Sequence, residues 1–193
     1  MRWPSASLGT DIMKTTALLD DRRLTLLGVA GFAAALAAAS QVAIPLPGTP
    51  VPITLQPMLV VLAGMMLGPV AGAASMVVYL AAGAMGLPVF APIGAPGVFR
   101  LVGPTGGYLL AYPVAAFVAG LLVARTRGFT GRALAAAAGI LVLYVGGLAQ
   151  LAVLTGSLTR AALLGVVPFV ALDAVKSLVA AAVTRSPAPD RAR

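Results

Sequence analysis

ALAAAAGILVLYVGGLAQLAVL, residues 133–154, contains no charged side chain. A helix needs about 20 mostly apolar residues to cross about 30 Å of hydrocarbon, because it rises about 1.5 Å per residue. This segment meets both requirements. It therefore predicts a membrane-spanning helix, and similar apolar runs recur along the chain.

The overall composition agrees with a membrane protein. Of the 193 residues, 60% are hydrophobic and 9% are charged, whereas a soluble domain carries about 25% charged residues. The mean hydropathy is +1.02. So few polar groups cannot cover the surface of a soluble domain, and the sequence predicts an all-α integral membrane protein.

Six apolar runs are candidate spans, and together they predict six transmembrane helices. They are Leu24–Leu46, Ile53–Leu67, Val70–Leu87, Tyr108–Ala124, Ala133–Leu154 and Ala161–Val183. Gly68 and Pro69 separate the second run from the third and predict a tight helical hairpin. We expect one transmembrane domain over residues 24–184, a disordered cytoplasmic lead-in over 1–23 and a basic cytoplasmic tail over 185–193.

The basic residues predict the orientation of these spans, since cytoplasmic loops carry an excess of Lys and Arg. With the N-terminus inside, the cytoplasmic segments hold Arg2, Lys14, Arg22, Arg23, Arg125, Arg127, Arg132, Arg185, Arg191 and Arg193. The external loops hold only Arg100 and Arg160. We therefore expect a multi-pass protein of the bacterial cytoplasmic membrane with both termini inside. The net charge of +8 then reflects topology and not nucleic-acid binding.

Missing residue types exclude several kinds of chemistry. The chain has no Cys and no His, which excludes disulfides, thiolate chemistry, imidazole metal sites and Ser-His or Cys-His catalysis. It also has no Gly-x-x-x-x-Gly-Lys-Ser/Thr phosphate loop, so ATP hydrolysis by that route is excluded. We expect no catalytic residues, no cofactor and no metal site.

Two proline-rich segments interrupt the apolar pattern. The first lies around Gly48 and carries five prolines between Pro45 and Pro57, so the chain cannot leave the first span as a simple helical turn. The second runs from Pro88 to Gly107 and forms a long external loop between the third and fourth helices. Because it contains Phe90, Phe99 and several aliphatic residues, we expect an ordered, packed lid and not a flexible connector.

Asp173 and Lys176 are the two charged residues well inside a predicted span. Because they are three positions apart on a helix, their side chains lie on one face. A charged side chain at mid-span raises the free energy of inserting the helix into the membrane by about 2.5–3.5 kcal/mol. The pair is either a structural ion pair or part of a ligand site. A carboxylate beside an ammonium suits a small ligand with amide-like donors at one end and a carboxylate at the other. Arg100 is either a second cation for that ligand or a solvated loop charge.

Amides and tyrosines supply the other candidate contacts. Gln56 follows the first proline-rich segment and is the amide best placed to contact a ligand, whereas Gln150 is expected to join helices. Tyr108 ends the long loop and can reach a site. The other tyrosines are expected to be interface anchors or packing residues.

The first span carries a stripe of small residues, Ala33, Ala34, Ala37 and Ala38. Small residues four positions apart allow a second helix to approach closely. That helix belongs either to this chain or to a separate membrane subunit, and the sequence favours neither.

Four motifs together carry a family resemblance. They are Val51-Pro52-Ile53-Thr54-Leu55-Gln56, Gly86-Leu87-Pro88-Val89-Phe90, Gly103-Pro104-Thr105-Gly106-Gly107-Tyr108, and Pro168-Phe169 followed by Asp173 and Lys176. Over residues 24–183 the chain resembles the BioY family, the biotin-specific S-components of energy-coupling factor transporters. Residues 92–97 lack the Asn that members of that family often carry in the long loop, so ligand contacts in this part of the loop are not transferred.

The resemblance implies a six-helix fold that binds biotin near the external face, with Asp173 and Lys176 contacting the polar ends of the vitamin. It implies partners, namely a transmembrane coupling subunit and two cytoplasmic ATPases, with the alanine stripe as the docking surface. Assembly as a homo-oligomer is left open. The alternatives are a similar subunit for another small vitamin and a structural membrane subunit without a ligand.

Overall fold

The structure is a computed structural model that describes residues 7–184, with side chains described from residue 21 onward. Its helices are α1 (Ser7–Ser40), α2 (Gln56–Leu67), α3 (Pro69–Ala84), α4 (Phe99–Val102), α5 (Gly106–Val123), α6 (Gly128–Thr155), α7 (Leu158–Gly165) and α8 (Val170–Val183). Within that range the backbone forms one isolated antiparallel bridge, between Ile44 and Ile53, and no longer strand. The predicted all-α fold is confirmed, and the predicted tail over 185–193 lies outside the described residues.

All six predicted apolar runs fall on helices. By length and composition, three described helical segments can cross a membrane: Asp21–Ser40 within α1, α5 and α6. A fourth crossing results if α7 and α8, which meet at a bend of 54°, form one span. Helices α2 and α3 are also apolar but shorter, with 12 and 16 residues. Six complete crossings therefore remain a prediction.

The ends of the helices differ from the predicted span ends where proline intervenes. Helix α1 ends at Ser40 and not at Leu46, because Pro45 and its successors are incompatible with a continued helix. At its other end α1 begins at Ser7, so the apolar run from Leu24 marks a change in composition and not the start of the helix. Helix α2 begins at Gln56. The chain between these helices, residues 41–55, is called loop 1, and residues 85–105 are called loop 2.

The predicted hairpin between the second and third spans is confirmed. Helix α2 ends at Leu67 and α3 begins at Pro69. Gly68 between them has φ +85°, a left-handed conformation that glycine adopts without steric cost. A single residue thus reverses the chain.

Small residues bring α5 and α6 into close contact. A Cβ atom placed on Gly107 would collide with the carbonyl of Gly146, and one placed on Gly146 would lie 2.5 Å from the carbonyl oxygen of Gly107. Only glycine fits at this crossing, which is the kind of contact that membrane helices use to pack without a hydrophobic driving force. The Gly-Gly step that begins α5 therefore positions this helix against α6.

Large apolar side chains cover the outside of the bundle. Val70, Leu134, Val145 and Val153 are 73%, 65%, 69% and 83% exposed. A soluble protein rarely exposes apolar side chains so extensively, whereas lipid covers them at no cost. The exposed faces identify a membrane protein.

Candidate functional site

A cavity of about 700 Å³, its mouth included, lies where loop 1 and loop 2 meet α3, α5, α6 and the junction of α7 with α8. Its polar lining consists of Thr54, Gln56, Tyr79, Arg100, Thr105, Tyr108, Tyr112, Tyr144, Asp173 and Lys176. This set contains all five residues that the sequence singles out as ligand contacts, and their role in binding remains a prediction.

The charged pair in α8 is buried at this cavity. Asp173 is 4% exposed and Lys176 is 8% exposed. The Nζ atom of Lys176 lies 2.7 Å from Oδ1 of Asp173, and the hydroxyl of Tyr144 donates to Oδ2 at 2.6 Å. Both carboxylate oxygens are thus held in place, as a buried charge requires.

A break in the last span brings Asp173 to the cavity. Pro168 lies between α7 and α8 and cannot donate a backbone hydrogen bond, so α8 starts anew at Val170 with Asp173 in its first turn. The break frees carbonyl groups near the end of α7. The hydroxyl of Thr49 donates to the carbonyl of Leu164 at 2.6 Å. Such replacement bonds are what allow a broken helix at membrane depth.

Arg100 approaches the cavity from loop 2 and is also buried, with 6% exposure. Its Nη2 donates to the carbonyl of Ala91 at 2.9 Å, and its Nη1 donates to the carbonyl of Ile93. No carboxylate in the described part of the chain lies within ion-pair distance of it. Burial lowers the pKa of this guanidinium below its ordinary value, yet arginine keeps its charge in proteins. The alternative of a solvated loop charge is wrong, and the buried cation is left without a counter-charge.

Aromatic rings form one wall of the cavity. Tyr79 stacks on Tyr112 with ring centroids 6.2 Å apart, and it meets Phe90 edge to face at 5.4 Å. The side-chain amide of Gln56 donates to the hydroxyl of Tyr79 at 2.9 Å. Sequence reasoning missed Tyr79, Tyr112 and Tyr144 as cavity residues because tyrosines of membrane helices often serve as interface anchors or packing residues. Tyr108 and Tyr112 lie four positions apart on one face of α5. This spacing could have identified two of the four cavity tyrosines from the sequence.

Tyr108 and Gln150 hold neighbouring backbone in place. The ring of Tyr108 lines the cavity, while its hydroxyl donates to the carbonyl of Gly165 at 2.6 Å. The amide of Gln150 donates to the carbonyls of Leu101 and Gly103, at 3.1 and 2.6 Å. Tyr108 thus joins α5 to α7 and contributes its ring to the site, whereas Gln150 joins α6 to loop 2.

Loop 2 packs against the bundle, as expected, but not through all the residues proposed for it. Phe90 is 7% exposed and belongs to the main hydrophobic core. Ser40, the last residue of α1, donates to the carbonyl of Val89 at 2.5 Å, and Gln41 donates to that of Phe90 at 3.2 Å. Phe99, in contrast, is 68% exposed, because α4 turns its side chain away from the core.

The alanine stripe of α1 is divided between two environments. Ala33 is 8% exposed and lies in the main core, and Ala37 packs against that core. Ala34 and Ala38 are exposed. For Ala33 the expectation of a docking residue is wrong, because other helices of this chain already cover it. Any docking surface on this stripe rests mainly on Ala34 and Ala38.

The described side chains include no cluster of three or more acidic residues that could hold a metal ion. What the cavity offers is a buried anion with its own cation, a second cation without an anion, and aromatic walls. These features define a helical membrane protein with an internal polar cavity, whose lining suits a small polar ligand.

Comparison with known proteins gives the family. The model of the BioY family matches residues 13–192, and the chain belongs to that family. The biotin transporter BioY of Thermotoga maritima is 39% identical over 160 residues, which are 83% of this chain and 92% of that protein. The probable biotin transporter BioY of Pyrococcus horikoshii is 44% identical over 131 residues, which are 68% of this chain and 76% of that protein.

A solved structure supports the same assignment. The S-component for biotin from an ECF-type ABC transporter, known from a 2.1 Å crystal structure, matches with a TM-score of 0.77 and 26% identity. The match covers 86% of this chain and 90% of that chain. The predicted family resemblance is confirmed. The family consists of transport proteins, and the prediction that the chain is not an enzyme is confirmed as well.

Proposed function

We propose that this chain captures biotin and mediates its uptake across the cytoplasmic membrane. Biotin is the transported substrate and not a cofactor. Membership of the BioY family supports the proposal, as do two relatives named as biotin transporters and a structural neighbour described as an S-component for biotin.

The observation that carries the proposal is that one cavity holds Asp173 and Arg100 without an ion pair between them. Biotin carries two N–H donors and one carbonyl on its ureido ring, and a carboxylate at the end of its aliphatic chain. A ligand of this kind offers a donor group to the buried anion and an anion to the unpaired cation. A purely structural subunit has no use for a buried cation that lacks a counter-charge, because such a charge destabilises the fold.

Counting hydrogen-bond positions gives an orientation for the ligand. An ionised carboxylate accepts at about four positions, and Lys176 and Tyr144 occupy two at Asp173. About two remain, and one N–H of the ureido ring donates to the carboxylate, since the two N–H bonds of this five-membered ring diverge on either side of its carbonyl. Lys176 keeps donors for that carbonyl. Arg100 has five N–H donors, of which two bond to loop carbonyls, so about three remain for the carboxylate. The ureido ring therefore lies at Asp173 and the carboxylate at Arg100.

The energy for uptake comes from partners in this proposal. The chain has no phosphate-binding loop, and its structural neighbour belongs to an ECF-type ABC transporter. A transmembrane coupling subunit and two cytoplasmic ATPases complete the transporter, and the exposed residues Ala34 and Ala38 give the coupling subunit a surface of small residues. The excess of Lys and Arg on one side of the spans supports a cytoplasmic position for both termini.

The test is equilibrium binding of radiolabelled biotin to the purified, detergent-solubilised chain, with unlabelled biotin, thiamine and riboflavin as competitors. We expect unlabelled biotin alone to displace the label. Arg100→Gln is expected to weaken binding at least tenfold, since charge-assisted hydrogen bonds contribute about 1.5–3 kcal/mol. Arg160→Gln is the matched control, because Arg160 is exposed and lies outside the cavity.

Each outcome of this experiment has a definite meaning. Preferential binding of thiamine or riboflavin would show that the substrate is a vitamin other than biotin. Binding of none of the three would favour a structural subunit. Equal affinities of Arg100→Gln and wild type for biotin would remove Arg100 from the site.

A further inference from the structure

A second cavity adjoins the first at Arg100 and Thr105, which line both. It measures about 510 Å³, mouth included, and is called the loop cavity. Its remaining lining comes from loop 1, loop 2 and α4, chiefly from Pro50, Ile93, Gly94, Ala95, Phe99 and Pro104. Since these residues all lie in connecting segments, the loop cavity leads from the main cavity towards the surface of the bundle.

The walls of the loop cavity are open and apolar. Phe99 is 68% exposed and Ile93 is 42% exposed, whereas Arg100 between the two cavities is 6% exposed. The guanidinium lies against the backbone of loop 2, since Nη1 bonds to the carbonyl of Ile93 and a Cβ atom on Gly94 would collide with it. A group bound to Arg100 therefore has the main cavity on one side and the loop cavity on the other.

The two ends of a bound biotin then differ in the space around them. Asp173, at the ureido end, is 4% exposed and already contacts Lys176 and Tyr144. A substituent on the ureido nitrogen that faces Asp173 removes the hydrogen bond made there. The carboxyl end at Arg100 lies at the border of the loop cavity, where a substituent can continue between Ile93 and Phe99.

We propose that the loop cavity is a second subsite, which receives whatever is attached to the carboxyl group of biotin. The chain then binds carboxyl-linked biotin amides, such as biotin joined to the ε-amine of lysine, in addition to free biotin. The alkyl chain of the lysine contacts the apolar lining, and its charged end reaches water. This inference rests on the proposed function and on the orientation derived above.

Affinities for three ligands test the proposal on the unmodified chain. The amide retains the carbonyl acceptor for Arg100 but loses the charge, so biotinyl-lysine is expected to bind about tenfold more weakly than biotin. A biotin methylated on the ureido nitrogen that faces Asp173 is expected to bind at least a hundredfold more weakly, since it loses its donor to the buried carboxylate and places a methyl group against it. Failure of biotinyl-lysine to compete at a thousandfold excess over biotin would overturn the proposal.

A variant that fills the loop cavity gives the second test. Ala95 lines the loop cavity and not the main one. In Ala95→Trp we expect the Kd for biotin to stay within threefold of wild type and that for biotinyl-lysine to rise at least tenfold. Val98→Trp is the matched control, because Val98 is an exposed apolar residue of the same loop outside both linings.

The outcomes separate this inference from the proposed function. If the unmodified chain binds no biotin, the proposed function fails. If the unmodified chain binds biotin, but Ala95→Trp lowers the affinities for biotin and biotinyl-lysine equally or changes neither, the loop cavity does not bind the substituent. Should Ala95→Trp fail to fold, the three-ligand series on the unmodified chain still decides.

Discussion

Neutralising the buried pair separates a structural role of Asp173 and Lys176 from a role in binding. Lys176→Met alone leaves Asp173 buried with Tyr144 as its remaining side-chain partner. Removing one member of a buried ion pair costs about 3–5 kcal/mol. For a chain of this length that corresponds to a Tm lower by about 6–20 °C.

The double variant Asp173→Asn with Lys176→Met has no buried charge left at this position. Replacing both members of a buried pair by neutral groups is often neutral for stability, so we expect a Tm within about 4 °C of wild type. Binding should not recover. Loss of one charge-assisted hydrogen bond from the ureido ring to Asp173 costs about 1.5–3 kcal/mol, which weakens biotin binding about 10- to 150-fold.

The assay pairs two measurements on the wild type, the single variant and the double variant. Thermal stability is the fraction of monodisperse protein that remains in size-exclusion chromatography after heating, and affinity comes from titration calorimetry with biotin. A double variant that regains both stability and affinity would show a purely structural ion pair. That result would refute the binding role of Asp173.

Three further predictions concern other parts of the site. Arg100→Gln is expected to lower the affinity for free biotin at least tenfold but the affinity for biotin methyl ester less than threefold, because the uncharged ester makes no ion pair with Arg100. Equal losses of affinity for both ligands in calorimetry would contradict this. Gly107→Ala is expected to lower the yield of monodisperse protein severely, since its Cβ would collide with the carbonyl of Gly146; a normal elution profile would argue against close packing of α5 and α6. Gln150→Leu removes the hydrogen bonds that hold loop 2. It is expected to raise the rate of biotin release about five- to tenfold with little change in Tm. An unchanged release rate in a filter-binding chase would exclude a role for loop 2 in retaining biotin.

The charged part of the site could be predicted from the sequence because charges inside spans are so rare. Asp173 and Lys176 stand three positions apart in an apolar helix, and local geometry alone places them on one face. The structure confirms their contact at 2.7 Å. The proline positions also predict that the first span cannot lead into the second by a simple turn.

The aromatic walls and the environment of Arg100 could not be predicted in this way. Tyr79, Tyr112 and Tyr144 come from three helices, and their meeting depends on how α3, α5 and α6 pack. Arg100 is held by carbonyls of its own loop, a contact that no sequence spacing specifies. The division of the alanine stripe likewise depends on the rotation of α1 about its axis, which the nearly uniform apolar composition of residues 24–39 does not fix.

The central claim is that this chain binds biotin in the cavity that contains Asp173 and Arg100. The most direct measurement is mass spectrometry of the small molecules that co-purify with the detergent-solubilised chain from cells supplied with biotin. The account predicts about one biotin per chain for the wild type and much less for the double variant Asp173→Asn with Arg100→Gln. Absence of biotin from the wild type, or equal recovery from both proteins, would contradict it.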